Sequence, residues 1–255
     1  MGPIGELVYT GSALEPPVTV KDGEKALVEG TDYAVTYENN TAAGTATVTI
    51  TGKGNYAGER TINFTIAQKD IAEDEGFTID PIPDQVYTGG EITPEITVKD
   101  GDTVLVEGED YEVTFEENTD AGTVTVTITG TGNYAGETEV TFEIVKATAP
   151  AIQWPEVTGG LTYGQTVAEI PLSAMEDDHG AFVWKCPDCL PDVGEFLFPL
   201  VYMPDNAANY DYTGVPLECE VCVEVVPKDI STLTVDAIPA QTATGSALTP
   251  TVTCL

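Results

Sequence analysis

The sequence predicts an all-β protein, built as a tandem array of small antiparallel β-sandwich modules. Three observations carry this prediction. The chain contains a near-exact internal repeat, the repeat holds strictly alternating β-branched residues, and glycine-rich turns recur at short intervals. No stretch of useful length shows helical periodicity, and no apolar run approaches the roughly 20 residues of a membrane-spanning helix.

The repeat has a period of 78 residues. Residues 9–66 align with residues 87–144 without a gap, and 37 of these 58 positions are identical. The repeated sequence at Ile82-Pro83 begins again at Ile238-Pro239, two periods later. The residues between the second copy and this restart therefore fill one further period, with a different sequence. We therefore expect a first repeat at 1–67, a polar acidic linker at 67–77, a second repeat at 78–146, a divergent third repeat at 150–228 and the truncated start of a fourth at 229–255.

The central element of each repeat is a long hairpin, Gly44–Gly58 in the first and Gly122–Gly136 in the second. Apolar and threonine residues alternate along Ala46–Ile50, which indicates a strand with one buried face. Gly52 and Gly54 then open a corner beside an Asn-Tyr pair, where positive φ is tolerated. Because the text is nearly identical, the same turn is expected in both repeats.

The flanking segments read as short strands separated by turn residues every 8–12 positions, a spacing typical of β-sandwiches. The third repeat follows the same plan with a strand at Gly180–Trp184, an alternating run at Phe196–Tyr202 and a last strand at Val215–Val226. A β-grasp-like sheet is the alternative for this repeat.

Specific sequence motifs resemble those of known repeats. The first two repeats carry VYTG, GTDY (GEDY in the second) and GTATVTITGKGNYAG, and they resemble tandem immunoglobulin-like (Ig-like) repeats of bacterial cell-surface proteins. The third carries LTYGQT, GAFVW, PDVG and MPDNAANY and resembles the YGX-type repeats found beside them. The resemblance implies an extracellular, wall-associated, adhesin-like stalk from a Gram-positive bacterium, seen as an excerpt without signal peptide or anchor. It brings no catalytic or ligand residue.

Two functions follow from this reading. The first is a spacer that holds a functional domain away from the cell, which requires only a monomeric rod and no cofactor. The alternative is an adhesive module that binds a host glycan or host protein. Exposed aromatic residues grouped on one face would indicate binding, and the candidates are Tyr202, Tyr210 and Tyr212.

The net charge of −34 excludes a nucleic-acid partner and an acidic lipid surface, since both need clustered Lys or Arg. We interpret the acidic surface as a solvated, self-repelling one. Calcium is the competing hypothesis, at turns such as Glu29–Asp32 or Asp205–Asp211, although neither shows the DxDxDG spacing.

The cysteines form two CxxC pairs in the third repeat, Cys186/Cys189 and Cys219/Cys222. Two such pairs suggest a zinc site. Alternation along the strand places Cys219 on the inward face and Cys222 on the outward face, so these two could not bind one metal ion together. The alternatives are free thiols or a disulfide, and any disulfide is expected to join one cysteine of the first pair to one of the second. Cys254 aligns with a valine of the repeat and reads as a buried small hydrophobe.

No enzyme is predicted. His179 is the single histidine, and it lies in the acidic stretch Glu176–Gly180, which indicates a turn. A hydrolytic triad would need a histidine base beside a serine, and no GxSxG motif is present.

Overall fold

The computed structural model describes residues 4–243, 245–249 and 252. The chain divides into two compact units, one ending at Lys146 and the other beginning at Ala147. Cys254 lies outside the described residues, as do Thr244 and Pro250 of the fourth-repeat text. In the described part, regular structure consists of strands and two 3-10 helices, Val167–Glu169 and Ile230–Thr232. The predicted all-β class is confirmed.

Short strands of two or three residues accompany longer ones in all three repeats. The strands of the first repeat are β1 (Leu7–Val8), β2 (Lys21–Asp22), β3 (Lys25–Ala26), β4 (Tyr33–Glu38), β5 (Gly44–Gly52) and β6 (Glu59–Ala67). Those that follow, up to Lys146, are β7 (Lys69–Asp70), β8 (Phe77–Ile79), β9 (Gln85–Val86), β10 (Val98–Asp100), β11 (Thr103–Val104), β12 (Tyr111–Glu116), β13 (Gly122–Gly130), β14 (Tyr134–Ala135) and β15 (Glu137–Val145). The remainder are β16 (Ala147–Thr148), β17 (Leu161–Thr162), β18 (Glu176–Asp177), β19 (Gly180–Trp184), β20 (Gly194–Pro204), β21 (Tyr210–Asp211) and β22 (Glu218–Val226). Within the described residues, no helix is both long and apolar enough to span a bilayer.

One sheet plan recurs in all three repeats. The strand orders are β1-β6-β5-β4, β9-β15-β13-β12 and β17-β22-β20-β19, the last with β18 added at its edge. The long strands are antiparallel, as predicted, but the short strands β1, β9 and β17 pair in parallel with the last long strand of their repeats, β6, β15 and β22. The divergent third repeat therefore shares the core topology of the other two.

The glycine corner is the same turn in both near-identical repeats. The amide of Gly52 donates to the Gly58 carbonyl at 2.9 Å, and that of Gly130 donates to the Gly136 carbonyl at 3.0 Å. A Cβ added at Gly52 would lie 2.7 Å from the backbone nitrogen of Ala57, so only glycine fits there. The predicted equivalence of the two corners is confirmed.

The second layer differs between the first two repeats. In the second, β8, β10 and β11 form a three-stranded sheet that closes the sandwich, whereas in the first the hairpin β2–β3 is the regular part of that layer. Val98 on β10 is 1% exposed, but Val20, its counterpart in the first repeat, is only half-buried.

In the third repeat, the buried face of the five-stranded sheet carries large side chains from three strands, among them Phe182, Leu200 and Val223. Trp154 and the 3-10 helix at Val167–Glu169 pack against this face. The cover is an extended segment with one 3-10 turn, which differs from the β-grasp-like alternative.

The expected linker at 67–77 is part of the fold. It supplies β7 and the start of β8, and Ile71 within it is 5% exposed in the core of the second repeat. The prediction of a polar linker was wrong because it weighed the acidic composition of this stretch above the two apolar residues, Ile71 and Phe77, that pack into the core. The numbered boundaries of the repeats remain predictions.

Candidate functional site

The joint between the first two repeats is the site around which polar and aromatic contacts gather. We define the joint as Tyr9, Gln68, Lys69, Phe77, Asn133 and Tyr134. It forms where the chain leaves β6 and continues directly into β7.

Backbone hydrogen bonds make the connecting chain a strand of the second repeat. β7 pairs in parallel with β14. The amide of Lys69 donates to the Asn133 carbonyl at 3.0 Å, and the amide of Ile71 donates to the Ala135 carbonyl at 2.8 Å. Paired backbone groups restrict the connection far more than a free polar linker would.

Two side-chain amides hold the joint from either side. The Nε2 of Gln68 donates to the carbonyls of Gly132 and Tyr134 at 3.0 and 2.9 Å. The Oδ1 of Asn133 accepts from the backbone amide of Ala43, at 2.9 Å, and so ties the second repeat back to a loop of the first.

Tyr134 is the aromatic centre of the joint and is 4% exposed. Tyr9 of the first repeat meets its ring edge-on at 5.5 Å between centroids, and Phe77 does so at 5.6 Å. Such pairs contribute about 0.5–1.5 kcal/mol each beyond their burial. Burial, reinforced by the Asp100 carboxylate 3.5 Å from the hydroxyl, raises the pKa of Tyr134.

Lys69 supplies the charge of the joint. Its Nζ lies 2.5 Å from Asp100 and 3.5 Å from Asp74, and it stands 5.2 Å from the centroid of the Phe77 ring. Burial alone would lower the pKa of Lys69, but the hydrogen bond and charge of Asp100, helped by Asp74, outweigh it and raise the pKa. The ammonium therefore stays charged and holds β7 against β10.

The cysteine pairing differs from the expectation. Cys186 is bonded to Cys189 within the loop, with Cα atoms 5.5 Å apart, and Cys219 and Cys222 are free. The expected loop-to-strand bond was wrong because the loop folds as a tight turn, in which the amide of Cys189 reaches the carbonyl of Cys186 at 3.3 Å. Two of the four cysteine sulfurs therefore form a disulfide and are not available as thiolate ligands for zinc.

Strand parity at the last pair is confirmed. Cys219 is half-buried among the inward residues of β22, while Cys222 is exposed. Burial raises the pKa of the Cys219 thiol, which keeps it protonated and unreactive at neutral pH.

The three candidate tyrosines do not form an exposed binding face. Tyr202 is 3% exposed, its ring packs at a tilt against Phe182 with centroids 5.1 Å apart, and its hydroxyl donates to Asp177 at 2.9 Å. Tyr210 and Tyr212 are half-buried. Tyr202 as a surface ligand residue is therefore corrected, because it shares strand parity with the buried Leu200.

His179 lies in the turn between β18 and β19, as predicted, and its amide donates to Asp177 Oδ1 at 2.9 Å. Burial of Asp177 alone would raise its pKa, but the backbone hydrogen bond from His179 and the Tyr202 hydroxyl together lower it. These contacts complete a structural turn, and no nucleophile is among them.

The loops proposed for calcium are occupied by local hydrogen bonds. In Glu29–Asp32, the Asp32 carboxylate accepts from the amide of Val28 at 2.9 Å. In Asp205–Asp211, the Asp211 carboxylate accepts from the amide of Thr213 at 2.9 Å. Among the residues that the structure describes, no group of three or more His, Cys, Asp or Glu side chains is placed to hold a metal ion.

Sequence reasoning missed the joint as a site. The signal was present in the tripeptide Lys69-Asp70-Ile71, which recurs as Lys228-Asp229-Ile230 at the end of the third repeat. The recurrence of this tripeptide at corresponding positions indicates a structural role rather than an unstructured linker between domains.

Comparison with known proteins gives limited likeness. No family model matches the chain, and no curated protein matches it. Among solved structures, a protocadherin gammaB7 EC3-6 cis-dimer is 11% identical with a TM-score of 0.25, covering 94% of this chain and 76% of that one. The extracellular cadherin domains 1-5 of protocadherin gamma B2 are 11% identical with a TM-score of 0.27, covering 91% and 60%. The protocadherin gammaB4 extracellular domain is 10% identical with a TM-score of 0.25, covering 96% and 51%. The chain thus spans between half and three quarters of these structures, and scores this low carry no information on function.

Proposed function

We propose that this chain is a stalk segment of a bacterial cell-surface protein, in which Ig-like repeats hold a functional domain away from the wall. The observation that carries the proposal is the joint. The segment that leaves the first repeat is itself a strand of the second, so these two repeats are connected by folded structure.

The contacts of the joint suit a spacer. The backbone pairs of β7 with β14 and the edge-on rings of Tyr9 and Tyr134 resist bending between the first two repeats. A spacer needs this stiffness, since a freely jointed chain keeps its ends much closer together than a stiff one of equal length.

Surface charge supports the same role. With 43 acidic and nine basic residues, the chain repels itself and other copies at most points of its surface, which keeps an extended protein soluble. The Cys186–Cys189 disulfide is typical of an oxidising, extracellular compartment. Both features fit a wall-associated location.

An adhesive module for host glycan or host protein is the alternative, and the structure adds no observation in its favour, because Tyr202 is buried. We also propose that the chain is not an enzyme, since its single histidine serves a turn.

The test is surface display on a Gram-positive bacterium. The chain is placed between a wall anchor and a reporter epitope, alone or in two tandem copies, and access of a large antibody to the epitope is measured. A stalk should raise access with copy number while binding to mucin-coated surfaces stays at the level of anchor-only cells. Saturable mucin binding by the chain, with no gain in access, would favour the adhesive alternative.

A further inference from the structure

A two-residue strand pairs in parallel with the last long strand of each repeat. We call these contacts the closing pairs, and they are β1–β6, β9–β15 and β17–β22. In each of them a tyrosine amide donates to a carbonyl at the end of the last long strand, at 2.9 Å. The donors and acceptors are Tyr9 and Ala67, Tyr87 and Val145, and Tyr163 and Val226. The contact is retained in the third repeat although the sequence around it differs.

A second parallel contact lies at the start of the second and third repeats. We call these contacts the entry pairs, and they are β7–β14 and β16–β21. The amide of Lys69 donates to the Asn133 carbonyl at 3.0 Å, and that of Ala147 donates to the Asn209 carbonyl at 2.9 Å. Only one residue separates β6 from β7, and only one separates β15 from β16. Tension along the chain therefore reaches each entry pair directly.

Parallel pairing decides how such tension acts on these contacts. Tension pulls the short strand toward its amino end and the last long strand toward its carboxyl end. Because the paired strands point the same way, the two pulls slide one strand along the other, and the hydrogen bonds of the pair are loaded together. If the two strands were antiparallel, the same tension would open their bonds one after another from one end.

The entry pair of the second repeat is reinforced by side chains. The Nε2 of Gln68 donates to the carbonyls of Gly132 and Tyr134, and Lys69 forms its ion pair with Asp100 on β10. While this pair holds, the load passes from β7 to β14 and along the chain into β15, and the rest of the sandwich is bypassed. The closing pair takes the load once the entry pair has opened.

Short parallel pairs matter more under tension than at equilibrium. β1 and β9 add little burial, since Val8 and Val86 are 51% and 56% exposed. Forced unfolding, however, is governed by the rate of unfolding, and bonds that break on the way to the transition state slow that rate. The closing pair must open before the load can separate the long strands β13 and β15.

We propose that the repeats carry tension along the chain, with the entry and closing pairs acting as clamps that are loaded in shear. This inference rests on the proposed stalk role and extends it. A spacer has only to hold a distance, whereas a load-bearing stalk must also stay folded when the domain that it carries is pulled. The clamps resist a pull along the strands and give no such resistance to a pull across the sheet.

The first test compares two directions of pulling in the second repeat. Optical tweezers hold the full chain by DNA handles on encoded azide residues, which leaves the cysteines unmodified. One chain carries handles at Asp84 and Val145, which load the closing pair along its strands. The other carries them at Val86 and Glu116, on the two edge strands β9 and β12, so that the pull acts across the sheet. All four positions are exposed.

The two chains share one fold, so equilibrium stability alone would give the same resistance in both. We expect the second repeat to unfold at clearly higher force along the strands than across the sheet, at one pulling rate. Thermal melts that match the unmodified chain ensure that only the direction differs. Equal forces, or a higher force across the sheet, would overturn the proposal.

The second test removes one hydrogen bond from the entry pair of the third repeat. A147P deletes the amide that donates to Asn209. T148P is the matched control, because successive amides of a strand point to opposite sides and this one faces away from β21. With handles at the exposed Val145 and Val226, A147P should shorten the lifetime of the entry pair at constant force about two- to tenfold, as expected for one lost hydrogen bond.

T148P should retain the lifetime of the unmodified chain. No change in A147P, or equal losses in A147P and T148P, would contradict the clamp. These measurements are independent of the surface-display test. Equal forces in the two directions would refute load bearing and leave the spacer in place, whereas a failure of display would refute the spacer and leave the directional difference.

Discussion

The first and second repeats share most of their text and differ in how their cores are closed. Val98 is 1% exposed and Tyr134 is 4% exposed, whereas Val20 and Tyr56 are half-buried. The hairpin, corner and four-stranded sheet are common to both. The comparison teaches that the repeated sequence specifies the four-stranded sheet, and that the opposite layer of the sandwich is completed by the segment that precedes the repeat.

This difference has an energetic consequence. Fully burying an aliphatic or aromatic side chain contributes about 1.5–3 kcal/mol, as an upper estimate. In the second repeat, Ile71 adds nearly full burial of one such side chain, and Phe77 and Ile79 add partial burial. Because a domain is stable by only about 5–15 kcal/mol, we expect the second repeat to be clearly more stable than the first.

The largest expected effect comes from matched core substitutions. Ile128 is 0% exposed and Ile50 is 7% exposed at the same place in their repeats. I128A should cost about 2–5 kcal/mol, and I50A should fall at the lower end of that range because its surroundings are less closed. Hydrogen exchange of peptides from β13 and β5 measures each repeat separately.

The third repeat provides the control for both variants. The two tryptophans, Trp154 and Trp184, lie there, so tryptophan fluorescence follows that repeat alone. Its urea midpoint should not change in I128A or I50A if the two units unfold independently. A shift of the tryptophan transition in step with β13 exchange would show one cooperative array.

The segment Lys69–Pro83, which covers the core of the second repeat, gives the next largest effect. I71A should cost about 2–5 kcal/mol in the second repeat, because Ile71 is buried in its core although it lies outside the repeated text. Exchange in β13 should accelerate while exchange in β5 does not. E73A, at an exposed residue two positions away, is the matched control, and equal behaviour of the two variants would contradict the cover role.

Part of this architecture could be predicted from the sequence. Alternation along Ala46–Ile50 sets the buried face of β5, and the glycine corner fixes where the hairpin turns. The burial of Ile71 could not be predicted this way, because a single apolar residue among acidic neighbours forms no periodic pattern. Only its recurrence as Ile230 marked it.

The third repeat shows the same limits at its candidate residues. Parity correctly separated Cys219 from Cys222, since it depends only on strand geometry. Parity could not predict the bond between Cys186 and Cys189, because residues in a loop turn do not alternate between two faces. Tyr202 was a different error, since its own alternation with Leu200 already placed it inside.

A smaller effect is expected at the ion pair of the joint. D100N removes the charge of the nearer carboxylate partner of Lys69, whose side chain is 17% exposed, and should cost about 1–3 kcal/mol in the second repeat. D22N at the equivalent exposed position should change stability by no more than about 0.5 kcal/mol. Equal costs would mean that the Lys69 contact contributes nothing beyond the turn itself.

The pair should also show in the pH dependence. The pKa of Lys69 is raised in the folded state above its ordinary 10.5. Its contribution is therefore fully present below pH 10.5 and is lost as the pH rises through the raised value. Alkaline melts of the unmodified chain should show this loss relative to D100N, and D22N should lose stability as the unmodified chain does.

The smallest expected effect is that of calcium, and the repeats allow a matched test. The turn at Glu29–Asp32 has its counterpart at Glu107–Asp110, and in both the aspartate accepts a backbone amide four residues earlier, at 2.9 and 3.0 Å. If these carboxylates serve only their turns, millimolar calcium should leave the melting temperature unchanged against sodium at equal ionic strength. Ligand binding to the folded state would instead raise it saturably.

A calcium site in this turn would stabilise both repeats. A rise in the hydrogen-exchange protection of both β5 and β13 that D32N and D110N abolish would therefore identify calcium there. A rise unaffected by these variants would place the ion elsewhere, with Asp205–Asp211 as the next turn to vary.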